Sequence, residues 1–150
     1  MASSIAFLHH LSAFVLFAAL VVEFVLIKDT PTLASARKIL ATDRVYGIAA
    51  GVLLIVGLAR VFHFEKGATY YFHTWTFITK LTLFILVGLI SIIPTREFLA
   101  WRKAVSQGQV PQVSAEKLRS VRSIIHLELA GVVLIILMAA MMAKGIGLMT

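Results

Sequence analysis

Residues 5–27 read IAFLHHLSAFVLFAALVVEFVLI, an apolar run that contains two histidines and one glutamate. A helix needs about 20 apolar residues to cross a hydrocarbon core about 30 Å thick, and this run is long enough. Similar apolar runs follow at residues 45–62, 75–93 and 124–143. Short connections force consecutive helices to run antiparallel, so the sequence predicts an all-α, integral membrane four-helix bundle.

The composition of the 150-residue chain agrees with a membrane protein. Apolar residues make up 60% of the chain, charged residues make up 14%, and the mean hydropathy is +0.96. Soluble globular domains contain about 25% charged residues. The connections are too short to form a core of their own, so we expect one four-span transmembrane domain over residues 1–150. The chain has no cysteine, which excludes disulfides and thiolate metal sites.

Basic residues are unevenly distributed among the three connections. The first connection contains Lys28, Arg37, Lys38 and Arg44, the third contains Arg96, Arg102, Lys103, Lys117, Arg119 and Arg122, and the second contains Arg60 and Lys66. Loops rich in Lys and Arg face the cytoplasm, which predicts that both termini lie on the outer side of the membrane. The net charge of +7 then reflects juxtamembrane loops and indicates no nucleic-acid partner.

Local signals predict where the helices end and where they pack. Pro94 is expected to end the third helix because proline lacks a backbone N–H group. Residues 114–122 are expected to form a short interfacial helix before the fourth span. Gly47 and Gly51 form a Gly-xxx-Gly pair, which permits close helix packing within the bundle or in a homodimer. Glu128 and Gly131 are expected to face the bundle, and His126 to face elsewhere.

The ionisable residues near the outer ends of the helices are the first candidate site. They are His9 and His10 on the first helix, Arg60 and His63 after the second, and His73 and Lys80 at the third. Histidines on different helices can hold a haem iron, and Arg or Lys can neutralise its propionates. His10 paired with His73 or His63 is the preferred ligand set, with His9 as the rival on the first helix.

Two alternatives for the same histidines remain open. Beside Trp75, Tyr70 and Tyr71 they could be ordinary residues of the interfacial aromatic belt. Two of them could also bind zinc, with Glu65 as the available outer-side carboxylate.

The ionisable residues near the inner ends form the second candidate site. This inner polar cluster comprises Glu23, Asp43, Arg44, Arg122, His126 and Glu128. Buried carboxylates need partners, and Arg44 and Arg122 are the expected ones. The cluster is then either a structural clamp between helix ends or a route by which protons reach a redox or transport reaction. On the first helix, Glu23 shares a stripe with His9 and Ser12.

Several motifs of the chain resemble those of a known protein family. They include Leu8-His9-His10-Leu11-Ser12-Ala13-Phe14, Asp43-Arg44-Val45-Tyr46-Gly47, Glu65-Lys66-Gly67, Ser91-Ile92-Ile93-Pro94-Thr95 and Glu128-Leu129. In these motifs, and over nearly its whole length, the chain resembles an uncharacterised bacterial family of small four-span membrane proteins grouped as a domain of unknown function. That resemblance implies the fold and a place in the bacterial inner membrane, but no established activity.

A more remote similarity concerns the first three helices. The early histidine, the opening of the second helix at Arg44-Val45-Tyr46-Gly47 and the His73 to Lys80-Leu81 segment are similar to HemJ-type protoporphyrinogen oxidases and CopD-like membrane proteins. This similarity implies a b-type haem ligated from the first helix, or copper handling.

The sequence therefore supports two hypotheses of different classes. The leading one is a small cytochrome-like protein that binds haem b between its helices for electron transfer or porphyrin-related redox chemistry, with a quinone or another redox protein as partner. The alternative is a cofactor-free membrane transport or assembly protein for a metal or small solute, whose polar residues form a solute path or fasten helices.

Overall fold

Four long helices form the protein, as the apolar runs predict. The computed structural model describes residues 2–64 and 66–149, so Glu65, which the zinc alternative requires, lies outside the described residues. The elements are α1 (Ala2–Leu26), α2 (Leu33–Ala59), a π-helical turn that continues α2 (Arg60–Phe64), α3 (Ala68–Phe72), α4 (Trp75–Ser106) and α5 (Ala115–Ala143). The long helices α1, α2 with its π-helical turn, α4 and α5 are each long and apolar enough to cross a membrane. The prediction of an all-α four-span protein is confirmed.

The helices pack as two hairpins. Helix α1 packs along α2, and α4 packs along α5. The hairpins meet through contacts of α2 with α4 and of α1 with α5, whereas within the described residues the backbone of α1 does not come close to that of α4, nor the backbone of α2 to that of α5. These contacts define a four-helix bundle in which α1 and α4 are diagonal neighbours.

Helices α2 and α5 begin well before their apolar runs because polar caps start them early. The Thr32 hydroxyl accepts a hydrogen bond from the Ser35 amide at 3.1 Å, and the Ser35 hydroxyl accepts one from the Thr32 amide at 2.8 Å. This reciprocal pair is a capping box. The Ser114 hydroxyl caps α5 by accepting from the Lys117 amide at 3.2 Å. The segment 114–122, predicted as a separate interfacial helix, is therefore the cap and first turns of α5.

The prediction that Pro94 ends the third helix is wrong. Helix α4 continues through Pro94 to Ser106. A proline inside a helix costs about 3 kcal/mol. Beyond the proline, however, Phe98 and Trp101 are buried in the core, and burial of each such side chain contributes about 1.5–3 kcal/mol. Packing of the final turns therefore offsets the loss of one backbone hydrogen bond.

The hydrophobic core continues beyond the membrane-spanning part of the bundle. Residues 33–42 of α2, 96–106 of α4 and 115–127 of α5 form what we call the inner collar. Its interior is apolar and includes Ala36, Ile39, Phe98, Trp101, Val121 and Ile125. Its surface carries the exposed basic residues Arg37, Lys38, Arg96, Arg102, Lys103, Lys117 and Arg119. The basic residues predicted to lie in loops therefore lie mostly on helix surfaces.

The membrane-spanning part has the opposite surface. Large apolar side chains project outwards around it, among them Phe14 at 73% exposure and Ile55 at 70%. A helix surface that is apolar all round is typical of contact with lipid. Lipid contact therefore accounts for these exposed side chains.

At the outer end the C-terminal tail closes the start of α4. The Trp75 amide donates to the Gly147 carbonyl at 2.8 Å, and the Thr76 hydroxyl donates to the Ile146 carbonyl at 2.9 Å. The first amides of a helix have no partner within the helix, so the tail satisfies groups that burial would leave unpaired. The N-terminal end of α1, where His9 lies against Gly57, is at the same end of the bundle.

The Gly-xxx-Gly pair does not mediate packing within the chain. A Cβ atom added at Gly47 or Gly51 would meet no atom within 4 Å. The inward face of α2 is instead formed by Asp43, Tyr46 and Ala49, which are buried. Since one face of a helix repeats every three to four residues, the two glycines face outwards.

Gly131 makes the close approach between α4 and α5. A Cβ at Gly131 would lie 2.5 Å from the Val87 Cγ2 atom, whereas a Cβ at Gly88 would meet nothing within 4 Å. We expect Gly131→Ala to be less stable than Gly88→Ala by about 1–3 kcal/mol, because alanine overpacks this contact. The measurement is thermal unfolding in detergent.

Both substitutions gain about 1 kcal/mol from the higher helix propensity of alanine. The difference in stability between the two variants therefore reports the packing at Gly131. Adding Val87→Ala to Gly131→Ala should restore part of the lost stability. Equal unfolding midpoints for the two glycine variants would contradict the packing assignment.

Candidate functional site

Three carboxyl groups from three helices are buried at the inner end of the bundle. Glu23 of α1 is 2% exposed, Asp43 of α2 is 8% exposed, and Glu128 of α5 is 1% exposed. Glu23 continues a buried stripe on α1 formed by Ser12, Leu16 and Leu20, as the periodicity predicts. We call Glu23, Asp43 and Glu128 the carboxyl centre.

The carboxyl centre lies near the boundary between hydrocarbon and headgroups. On α1 the interval from the start of the helix to Glu23 is 2–23, and on α2 the interval from Asp43 to the end of its π-helical turn is 43–64. At about 1.5 Å per residue each interval spans about 30 Å, the thickness of the hydrocarbon core. The inner collar extends beyond this level on α2, α4 and α5, whereas α1 ends at Leu26, within one turn of Glu23.

Two of the three carboxyl groups have polar partners. The Thr95 hydroxyl donates a hydrogen bond of 2.8 Å to Asp43 Oδ1. The Tyr46 hydroxyl, one helical turn beyond Asp43, is hydrogen-bonded to the Glu128 carboxyl and interacts with Ser91. These contacts connect α2 to α4 and α5 through side chains.

Two oxygens of the carboxyl centre remain unsatisfied. Glu23 Oε1 and Glu128 Oε1 are buried and have no hydrogen-bond partner among the residues that the structure describes. An unsatisfied buried polar group costs about 1–3 kcal/mol, and a buried charge costs more. The carboxyl centre therefore has acceptor oxygens to which no described residue donates a hydrogen bond. Such oxygens can bind a proton or a cation.

The predicted clamp by two arginines is not formed. Arg44 is exposed, and the Arg122 guanidinium lies over the Phe24 ring, 4.9 Å from its centroid. Arg44 follows Asp43 by one residue, so it points about 100° away around α2. Arg122 precedes Glu128 by six residues and likewise lies on another face of α5. Over residues 2–64 and 66–149, the ion pair that is present joins Lys117 to Glu97 at 3.6 Å.

His126 faces away from the carboxyl centre, as predicted. It is exposed, and its ring packs edge-on against Phe24 with 5.7 Å between ring centroids. The predicted inner polar cluster therefore divides into three buried carboxyl groups that lie together and three residues, Arg44, Arg122 and His126, that face other surroundings.

The histidines near the outer end are mostly exposed, unlike the three buried carboxyl groups. His10, His63 and His73 are exposed, whereas His9 is half-buried beside Gly57. His10 Nδ1 lies 2.7 Å from the Ala6 carbonyl oxygen. His73 Nδ1 lies 2.8 Å from the Thr69 carbonyl oxygen. Each contact is to the backbone four residues earlier.

The structure separates His10 from His73 but not from His63, because α1 contacts the π-helical turn that carries His63. The backbone of α1, the helix that carries His10, does not come close to that of α3 or α4 among the described residues, and His73 lies between those two elements. Arg60 and Lys80 are half-buried, with the Lys80 ammonium 5.4 Å from the centroid of the Phe77 ring. Haem binding stays a prediction. Nor do any three His, Cys, Asp or Glu residues of the described chain form a group suited to a metal ion.

Sequence reasoning missed three members of the site. Tyr46 follows Asp43 by three residues, a spacing that puts both on one helix face. Ser91 and Thr95 are four residues apart on α4, on either side of Pro94. Ser91 and Thr95 place two hydroxyl groups on one face of an apolar run. This pattern could have predicted their role, since such residues form hydrogen bonds across helices.

Replacing Glu23 or Glu128 by Gln tests whether either side chain has a charged partner. We expect each substitution to change the free energy of unfolding by less than about 1 kcal/mol, because no hydrogen bond to Oε1 is lost. Removing one partner of a buried ion pair would instead cost about 3–5 kcal/mol. Thermal unfolding in detergent distinguishes the two outcomes.

Glu97→Gln is the matched comparison, because Glu97 does have partners. It accepts a hydrogen bond from Trp101 Nε1 at 3.1 Å and pairs with Lys117. We expect a loss of about 0.2–1 kcal/mol for this variant, typical of a partly exposed ion pair. A loss of several kcal/mol in Glu23→Gln would contradict the unpaired assignment.

The comparisons with known proteins agree with the membrane architecture. One family model, described as "Predicted membrane protein (DUF2214)", matches residues 1–147. No curated protein and no solved structure matches the chain. The remote similarity to HemJ-type and CopD-like proteins therefore receives no support. Because the match covers nearly the whole chain, this protein belongs to the DUF2214 family of predicted membrane proteins.

Proposed function

We propose that this multi-pass membrane protein is a transport protein that binds and transfers a proton at the carboxyl centre. The observation that carries this proposal is the pair of buried, unsatisfied oxygens, Glu23 Oε1 and Glu128 Oε1. Ionisable residues inside transmembrane segments are costly and commonly mark proton or ion pathways. The centre is the place in the described bundle where three such residues meet.

A proton suits the carboxyl centre better than a metal ion. A metal ion needs several ligands converging on one point, and the described His, Cys, Asp and Glu residues supply no group of three that does so. A proton needs one oxygen, or two oxygens that share it. Proton binding also removes charge repulsion between neighbouring carboxylates, which is strong in a site with little water.

The surroundings of the centre support exchange with one side of the membrane. Glu23 lies about one helical turn from the end of α1 and from Lys28, which is exposed. From Glu23 to His9 the distance along α1 is about 21 Å, and the buried residues between them include Leu16 and Leu20. The distance from Glu23 to water is therefore short at the inner end of α1. Proton transfer from Glu23 to the outer side requires water inside the bundle or a rearrangement of the hairpins.

The basic inner collar supports a definite orientation. We propose that the collar and the connections at 27–32 and 107–114 face the cytoplasm of a bacterial cell, with both termini outside the inner membrane. The carboxyl centre then exchanges protons with the cytoplasm.

Proton transfer is measured with purified protein in liposomes that contain a pH-sensitive dye. When an imposed membrane potential drives protons inwards, we expect the wild-type protein to acidify the interior. Glu23→Gln and Glu128→Gln should reduce the rate at least about tenfold, because the amide does not take up and release a proton at these pH values.

The matched control for proton transfer is Glu116→Gln, which removes an exposed carboxylate from the first turn of α5. It should transfer protons at the wild-type rate. The infrared C=O band of a protonated carboxyl group should be present in the wild type and weaker in Glu23→Gln or Glu128→Gln. Unchanged flux and an unchanged infrared band in both centre variants would refute the proposal.

Haem binding at the outer end is the second candidate function. It is supported by the backbone contacts of His10 Nδ1 and His73 Nδ1, which leave the Nε2 atom of each ring available for iron. If haem b is bound, dithionite should sharpen the Soret, α and β bands of the purified protein. His10→Ala should then weaken or shift these bands more than His126→Ala, which alters an exposed histidine at the inner end. If the protein purified from cells supplied with haem precursor is colourless, haem binding is contradicted. The proposal of a quinone or another redox protein as partner then fails as well.

A further inference from the structure

The interface between α1 and α5 contains an open cleft at the level of the inner collar. The cleft is lined by the end of α1 and the following turn, and by the first turns of α5; its residues are Ile27, Lys28, Asp29, Thr30, Ala115, Leu118, Arg119 and Arg122. Three of these side chains are cationic and one is a carboxylate. The cleft therefore has a net positive charge of two and favours an anionic group.

A second, apolar groove runs between the same two helices. It is lined by Phe17, Val21 and Phe24 of α1 and by His126, Leu129, Ala130 and Val133 of α5. Phe17, Val21, Phe24 and Lys28 recur every three to four residues, as do Arg122, His126, Leu129 and Val133, so each series follows one helix face. The groove therefore continues from the cationic cleft towards the outer end.

The two features are joined by one contact. The Arg122 guanidinium, which lines the cationic cleft, lies over the ring of Phe24, which lines the apolar groove. A ligand with an anionic head and an apolar chain would thus meet both surfaces without a gap between them.

We propose that the α1–α5 face binds an anionic phospholipid, with its phosphate in the cleft at Lys28, Arg119 and Arg122 and one acyl chain along the groove. Arginine is suited to phosphate because its planar guanidinium group can form two parallel hydrogen bonds. Asp29 at the cleft disfavours additional negative charge and favours a phosphodiester with one charge.

The depth of the site matches a lipid rather than a soluble phosphate. Lys28 lies five residues beyond Glu23, or about 7 Å past the hydrocarbon boundary, which is the headgroup region. From Phe24 to Phe17 the apolar groove extends about 10 Å along α1, enough to hold the part of an acyl chain that is nearest to the headgroup. This inference is independent of proton transfer, because no member of the carboxyl centre lines either surface.

The test is native mass spectrometry of the detergent-purified protein with phosphatidylglycerol and phosphatidylcholine that have the same acyl chains. We expect the protein to retain phosphatidylglycerol in clear preference to phosphatidylcholine. Lys28→Gln combined with Arg119→Gln should weaken phosphatidylglycerol binding about thirtyfold, because two cations near the headgroup are lost. Both side chains are exposed, so the fold should be retained.

The matched control is Arg102→Gln combined with Lys103→Gln, which removes the same charge from an exposed surface of α4 outside both features. It should bind phosphatidylglycerol as the wild type does. Equal losses in the two double variants would overturn the proposal in favour of general attraction to a basic surface. Equal retention of the two lipids by the wild type would also overturn it.

A second variant separates a lipid from a free phosphate. Ala130→Phe fills the apolar groove and leaves the cationic cleft intact, and it should reduce phosphatidylglycerol binding at least about tenfold. Glycerol phosphate, which has no acyl chain, should compete weakly with the lipid. Unchanged lipid binding in Ala130→Phe, with circular dichroism showing a normal fold, or strong competition by glycerol phosphate would overturn the lipid assignment.

Discussion

Burial of three carboxyl groups between helices is the constraint on which the rest of this structure depends. Hydrocarbon cannot solvate a charge or an unpaired polar group, so Glu23, Asp43 and Glu128 must face the interior of the bundle. Their positions fix the rotation of α1, α2 and α5 about their axes. Helix α4 is fixed in turn because Thr95 donates a hydrogen bond to Asp43. The proposed proton-binding centre and a packing constraint thus coincide.

The inner collar complements this constraint. The spanning part has little buried apolar surface to gain, because lipid is as apolar as the side chains that would be buried. In the collar, side chains such as Phe98 and Ile125 leave water and contribute ordinary hydrophobic stabilisation. The collar therefore holds α2, α4 and α5 together beside the carboxyl centre. It also allows α1 and α5 to remain partly separated, which leaves the cleft and groove between them open.

The candidate sites differed in how far they could be predicted. Glu23 and Glu128 were identifiable from their depth in apolar runs, and the inward stripe of α1 followed from helical periodicity. The partners of Asp43 and Glu128 were not, because a buried carboxylate is expected to pair with an opposite charge, whereas the structure supplies the hydroxyl groups of Thr95 and Tyr46. The outer histidines were equally visible in the sequence, but spacing along a chain does not show which helices are neighbours, and α1 and α4 are diagonal in the bundle.

The sequence by itself determined the number of apolar helices, the α-helical class, the inward face of α1 and the clustering of basic residues towards one end of the bundle. Each of these depends on local periodicity or on transfer from water to lipid. Only the tertiary structure decided that α4 continues past Pro94, that the paired glycines of α2 face outwards and that Arg122 lies on Phe24 instead of beside Glu128. These outcomes depend on contacts between residues far apart in the chain, where packing energy exceeds local preference.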